Sequence, residues 1–287
     1  MSTVVVTGSR GLLGATLMRA LPEAGFRAVA LSGDIRDAAA VAEQIAQAAP
    51  VHVVHTAAMT DVAACERQPQ EAFAVNGEGT KNVVAAARAA GARILYISTA
   101  SVFKGDRGDC RVADTPEPIN AYNQSKREGE RHTLDYDGGI VLRLNLIGIH
   151  PDGSRGKNFI EWLADDFRAD KDMTLFADVC INPLCNWTIA ALIAKILARD
   201  GFDKILHIGS RDVKSKAAIG ELMRARFPGY RGTLQPGSVD AIADGVFRPK
   251  QMWLNTDKAA ALFGPMPTVA QEIDTIFARS RLPATLG

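Results

Sequence analysis

The chain has 287 residues, 47% of them hydrophobic, and a formal net charge of +1. That is enough for a sizeable core in one large domain or two small ones. It leaves no basic footprint for nucleic acid and no polybasic patch for a membrane surface. The four cysteines, Cys65, Cys110, Cys180 and Cys185, lack zinc-type pair spacing and read as reduced thiols. No apolar run approaches the length of a membrane span, and the N-terminus leads directly into a strand without a leader. A cytoplasmic protein is expected, with no metal, no nucleic acid and no membrane among its partners.

The first predicted strand is Thr3–Thr7. A turn with glycines three residues apart, Gly8, Gly11 and Gly14, separates it from a helix over Gly11–Leu21. Gly8 lets the chain turn sharply. Gly11 leaves room for a pyrophosphate at the backbone, and Gly14 lets the helix pack close to the strand. Free N–H groups at the positive end of the helix dipole would hold the anion. Strands follow at Phe26–Leu31 and near Asp34-Ile35, then a helix over Asp37–Ala49 and a fourth strand at Val51–His55. A helix from about Pro69 to Ala90 leads to a fifth strand, Arg93–Ser98. A long loop, a helix near Tyr122–Leu134 and a sixth strand, Gly139–Leu144, complete the alternating half. Strands alternating with helices imply an α/β fold with a parallel, doubly wound sheet covered on both faces.

Beyond Asn145 the pattern loosens. Helices are expected near Asn158–Ala169, Asn186–Ala198, Ala217–Phe227 and Thr268–Phe277, and short strands at Thr174–Phe176 and Ile205–Ile208. Gly229–Lys250 is rich in Gly, Pro and Asp and reads as irregular. The division expected is a nucleotide-binding domain over 1–145 and a smaller, mostly substrate-binding region over 146–287, with a segment of about 186–210 returning to the sheet.

Ligands of such sheets bind beyond the carboxyl ends of the strands. Three features fall there: the glycine turn, Thr56-Ala57-Ala58-Met59, and Ser98-Thr99-Ala100-Ser101. Small residues at 57 and 58 would let a nicotinamide ribose lie against the backbone. Tyr122 and Lys126 are four apart and share a helix face. An ammonium beside a phenol favours the phenolate and lowers a pKa near 10. Such a tyrosine can give a proton to a carbonyl oxygen, and Thr99 can hydrogen-bond the same oxygen. Taken singly, each motif also fits an ordinary helix face or strand cap. The second strand ends in Leu31-Ser32-Gly33 without an acid to hold a ribose 2′-OH. Arg10 lies in the glycine turn and Arg36 nearby, so NADPH is expected over NADH, which stays possible because Asp34 could serve as that acid.

Together these signals resemble the short-chain dehydrogenase/reductase superfamily, its extended branch, and within it the dTDP-4-dehydrorhamnose reductase family. The resemblance is carried by Val53 to Thr60, Ala74-Val75-Asn76-Gly77-Glu78-Gly79-Thr80, Ile97-Ser98-Thr99, Val102-Phe103-Lys104-Gly105, Asn120-Ala121-Tyr122, Lys126 to Glu130, Arg155 to Phe159, and Leu254 to Lys258. It implies a Rossmann-type cofactor domain and a reductase of a sugar-nucleotide ketone. Hydride would pass to the carbonyl carbon, with Tyr122 as proton donor, Lys126 tuning Tyr122, and Thr99 orienting the carbonyl. Asn76 resembles a helix asparagine that supports a proton relay; a cap or kink is the alternative. Leu12, Leu13, Ser32, Ile35, Met59 and Ile97 would join the cofactor site, and Asp34-Ile35 would lie beside the adenine. Thr99, Ala100, Leu146 and Arg248 would meet the substrate. By their charge, Arg155, Lys157 and Arg248 could hold its pyrophosphate, with a solvated surface charge as the alternative for each.

The chain departs from the family at Ala100 and Ser101, where an acid and an aromatic ring are usual, and at Leu146, usually aromatic. The competing readings are a 4-epimerase or 4,6-dehydratase on the same scaffold, and a non-catalytic subunit resembling the regulatory subunit of methionine adenosyltransferase. Missing acids at Ala100 and Ser101 count against dehydration. A homodimer is compatible with the sequence.

Overall fold

The computed structural model describes residues 1–153, 158–199, 201 and 203–279. Its centre is a six-stranded, fully parallel sheet. The strands are β1 (Thr3–Thr7), β2 (Arg27–Ala30), β3 (His52–His55), β4 (Arg93–Thr99), β5 (Gly139–Leu144) and a sixth, Ile205–His207. Their spatial order is sixth–β5–β4–β3–β1–β2, so the order reverses between β1 and β3. The alternation of side chains along β1 explains the double winding. Val4 and Val6 face a core shared with α1 (Leu12–Glu23) and a later helix, Asn186–Leu197, whereas Val5 faces α2 (Ala38–Ala48) and α5 (Thr80–Ala89). All three valines are at most 2% exposed.

Between β3 and α5 lie α3 (Val62–Arg67), α4 (Pro69–Phe73) and a π-helical turn, Ala74–Gly79. The single helix expected from Pro69 to Ala90 thus widens at Asn76, and α3 was not anticipated. Asp61 caps α3 by accepting from Ala64 N at 2.8 Å. The helix α6 (Ala121–Leu134) starts at Asn120, whose side chain accepts from Asn123 N, while Glu66 of α3 accepts from Ala121 N, both at 2.9 Å.

The strand expected near Asp34-Ile35 is a turn. Asp34 accepts from Arg36 N, and Gly33 takes a positive φ of 87°, which folds the chain away from the sheet edge. The helix Asn186–Leu197, α8 after α7 (Phe159–Arg168), packs on α1, where Asn186 donates to Thr16 Oγ1 at 2.7 Å.

A second core gathers α7, α9 (Lys216–Arg224) and α11 (Val269–Arg279), with α10 (Asp257–Phe263) between the last two in the chain. Gly229–Lys250 is not wholly irregular: Leu234–Gly237 pairs in parallel with Met173–Phe176. Two-residue strands complete the region. Leu146–Ile147 pairs with Leu184–Cys185, and Cys180–Ile181 lies between Lys214–Ser215 and Gln251–Met252. No helix among the described residues is long and apolar enough to cross a membrane.

Candidate active site

The glycine turn closes through contacts no side chain could share. Gly8 has φ +62°, and a Cβ on Gly14 would stand 2.2 Å from the Gly8 carbonyl oxygen. The first turn of α1 therefore lies directly over the end of β1. Its N-cap, Gly11, offers no side-chain acceptor, so the N-terminal N–H groups of α1 stay available. Before this turn lies a cavity of about 730 Å³, lined by Gly8–Gly11, Leu31–Ile35, Thr56–Ala58 and Val75. Backbone N–H groups, a helix N-terminus and small residues fit a dinucleotide diphosphate. Arg10 is the only cation on this lining among the described residues. Asp34 also lines it, ionised and held below the usual carboxylate range by Arg36, which hydrogen-bonds it at 2.5–3.0 Å and also reaches Glu71 at 2.7 Å. Arg36 is thus committed to two acids.

A second cavity, about 560 Å³, shares Gly11, Thr56 and Ala58 with the first. Thr99, Tyr122 and Lys126 all open onto it, beside Leu12, Leu13, Gly14 and Ile97. Its far wall is built by the C-terminal region, with Leu146, Ile181, Met252, Phe159 and Lys216. Leu146 is 36% exposed there, an aliphatic side chain on an otherwise mixed wall.

The electrostatics of the three central residues differ in part from expectation. Burial pushes the Tyr122 phenol up to about 12, the Cys65 thiol adds to this, and a hydrogen bond with Thr99 pulls it back. Lys126 does not lower it. Its ammonium donates to the Ile97 carbonyl at 2.8 Å and lies 4.1 Å from the Tyr96 ring centre. Burial brings Lys126 itself down to about 7, against the pull of Glu130. Tyr122 is therefore a protonated phenol across the neutral range, and Lys126 is the group that titrates there. Thr99 ends β4 and accepts from Ser101 N at 3.1 Å, with the Ser101 hydroxyl 2.9 Å away.

Beneath this face the π-helical turn does structural work. Asn76 accepts from Met59 N at 2.8 Å and donates to Met59 O and to Ser125 Oγ at 3.0 and 2.9 Å. Ser125 in turn donates to Tyr122 O at 2.9 Å, so Asn76 ties the β3 loop to the backbone of the Tyr122 helix. One turn past Lys126, Glu130 accepts from Ser98, Arg143 and Arg127 at 2.6–2.8 Å. Glu130 and Arg143 are at most 1% exposed. His55 is buried between the Thr7 and Thr80 hydroxyls, at 2.6 and 3.0 Å.

Three expected residues stand off both cavity linings. Met59 packs with Cys65 against Tyr122. Ala100 is 1% exposed and lies in a core with Val102, Phe103, Cys110 and Leu254, because the helical turn after Thr99 points it inward. Arg248 is held by Asp244 at 2.5 and 2.8 Å. Arg155 and Lys157 lie outside the described residues. Lys216 and the Glu130–Arg143 pair were missed. A lysine at the first position of a helix, against the dipole, was the available signal for Lys216.

A parallel Rossmann-type sheet, a glycine turn and a Thr–Tyr–Lys cavity define an extended short-chain dehydrogenase/reductase. The family model described as RmlD substrate binding domain matches residues 1–281. The chain belongs to that family. The probable low-salt glycan biosynthesis reductase Agl14 of Haloferax volcanii is 29% identical over 286 residues, covering 93% of this chain and 95% of that protein. The dTDP-4-dehydrorhamnose reductase of Streptomyces griseus is 38% identical over 180 residues, 61% of this chain and 58% of its own. A dTDP-4-dehydrorhamnose reductase from Bacillus anthracis, solved in complex with NADP, shares the fold with a TM-score of 0.89 at 23% identity, over 97% of this chain and 99% of that one.

Proposed function

We propose that the protein is an NADPH-dependent reductase of a sugar-nucleotide ketone. The observation that carries this reading is the convergence of Thr99, Tyr122 and Lys126 on a cavity continuous with the glycine turn through Gly11, Thr56 and Ala58. Bound along that turn, a reduced nicotinamide dinucleotide supplies the hydride that the ketone carbon accepts. Thr99 donates to the carbonyl oxygen and fixes its direction. Tyr122 transfers its phenolic proton to that oxygen as the C–O π pair becomes an alkoxide pair, leaving an alcohol and a phenolate. The phenolate is reprotonated from solvent, and the Lys126 ammonium lies on the same cavity as the reacting groups. Residues 1–145 serve the cofactor and 146–287 mostly the substrate, with the helix Asn186–Leu197 and the strand Ile205–His207 returning to the sheet. Ala100 is buried and Ser101 is bonded to Thr99, so neither supplies the acid that a dehydratase needs.

Arg10 supports NADPH over NADH, since it faces the cavity while the Asp34 carboxylate is paired with Arg36. The test is NADPH oxidation by the purified chain with a panel of nucleoside-diphospho-4-ketosugars. Turnover of at least one is expected, and oxidation by none of them overturns the reading. Tighter binding of NADH than NADPH would overturn the cofactor choice alone.

A further inference from the structure

Lys216 has no place in the chemistry so far. It follows the short strand Lys214–Ser215, so the three-stranded ribbon with Cys180–Ile181 and Gln251–Met252 delivers it to the far wall of the second cavity. Its ammonium has no hydrogen-bond or ion-pair partner among the described residues. It lies instead between two rings, 5.3 Å from the centre of Phe159 and 5.8 Å from that of Phe176. Its position at the start of α9 gives it no help, because the positive end of a helix disfavours a cation. Burial, with the charge of Arg248, lowers its pKa. Half-buried against two rings and without an acid of its own, the ammonium is free to meet an anion that enters the cavity.

The rest of the cavity sharpens the point. Its lining carries two lysines, Lys126 and Lys216, and no Asp or Glu. Lys126 is committed to the Ile97 carbonyl and the Tyr96 ring on the sheet side. Arg248 is matched by Asp244. Lys216 is therefore the one uncommitted positive charge on the described lining, on the wall opposite the sheet. Asn145, Asn158 and Thr60 line the same space and add neutral polar groups for an anion and its sugar.

We infer that Lys216 is the substrate-side anion anchor, binding the diphosphate of the nucleotide sugar while the ketone reaches Thr99 and Tyr122. This rests on the reductase reading for its choice of ligand. The two can nevertheless fail separately, because nucleotide binding can be measured without turnover.

The experiment is calorimetric titration of the NADPH-loaded protein with UDP and dTDP, and with uridine and thymidine as uncharged controls. Lys216→Met should weaken the better diphosphate by about 10- to 100-fold, the usual loss for a hydrogen bond to a charged group. Nucleoside binding and NADPH affinity should be unchanged, which also reports that the variant is folded. Lys216→Arg should retain most of the diphosphate affinity. With a turned-over ketone, Lys216→Met should raise KM and leave kcat nearly intact. Equal diphosphate affinity in wild type and Lys216→Met overturns the anchor and leaves the reductase untouched. Failure of the wild type to bind either diphosphate, with no ketone reduced, overturns both.

Discussion

Replacing Glu130 by alanine tests the framework beneath the Tyr122–Lys126 face. The carboxylate accepts four hydrogen bonds, from Ser98 at 2.6 Å, from Arg143 at 2.8 Å twice, and from Arg127 at 2.7 Å. Burial raises its pKa, yet the bonds and charge of Arg143, with Ser98 and Arg127, outweigh this and hold the group below its usual value. Removing it leaves the Arg143 guanidinium, 1% exposed, without its carboxylate. Breaking one side of a buried pair costs about 3–5 kcal/mol. At somewhat under about 2 °C per kcal/mol for a chain of this length, the unfolding midpoint should fall by roughly 5–8 °C. Circular dichroism melting, with urea unfolding as a check on the slope, reads this directly. Glu130→Gln also takes the counter-charge from Arg143, and it tests Lys126 as well. It keeps the shape but removes the charge that opposes the burial-driven lowering of Lys126. Ketone reduction by Glu130→Gln should therefore begin to decline at lower pH than in wild type, since less Lys126 remains an ammonium at each pH. A midpoint for Glu130→Ala within about 2 °C of wild type would refute the reasoning, because no uncompensated buried charge could then be present.

Three further outcomes are expected. Tyr122→Phe should bind NADPH as wild type does but lose reduction by about a hundredfold or more, the size of a lost general acid; a steady-state assay with retained turnover rejects Tyr122 as donor. Arg10→Ala should weaken NADPH by about tenfold and NADH much less, measured by fluorescence titration, and parallel losses for both would remove Arg10 from 2′-phosphate recognition. Acid should destabilise the fold below about pH 6.5. His55, lowered to about 3 by burial and then Lys126, and His207, lowered to about 4 by burial and then Arg143, stay neutral in the folded chain while the unfolded chain takes up protons. Between those values and 6.5 the unfolded state binds more protons, so stability falls with pH, by about 2 kcal/mol for each histidine at pH 5. Urea midpoints that stay flat from pH 7 to pH 5 would contradict this.

Much of the cofactor half was legible because its signals are local. Alternating valines, the glycine turn and the Tyr122–Lys126 spacing each report neighbours within a few residues, and β1, α1, β3 to β5 and α6 appear close to where those patterns place them. The errors share one cause. Asp34-Ile35 has strand-like residues, but the Asp34 carboxylate turns the backbone through Arg36. Leu234–Gly237 looks irregular, yet Met173–Phe176 offers it a pairing edge from sixty residues away. Ala100 follows a catalytic-looking threonine, but the helical turn after Thr99 buries it.

The order of residues by itself determined the parallel sheet, the phosphate-binding turn and the helix that presents a phenol and an amine on one face, since those depend on backbone sterics and side-chain period. Only the tertiary structure decided where charge resides. It joined Glu130 of α6 to Arg143 of β5, directed Lys126 toward a carbonyl and a ring rather than toward lowering Tyr122, and brought Lys216 to the opposite wall. Desolvation and ion pairing depend on which distant segments exclude water together, and no local spacing encodes that.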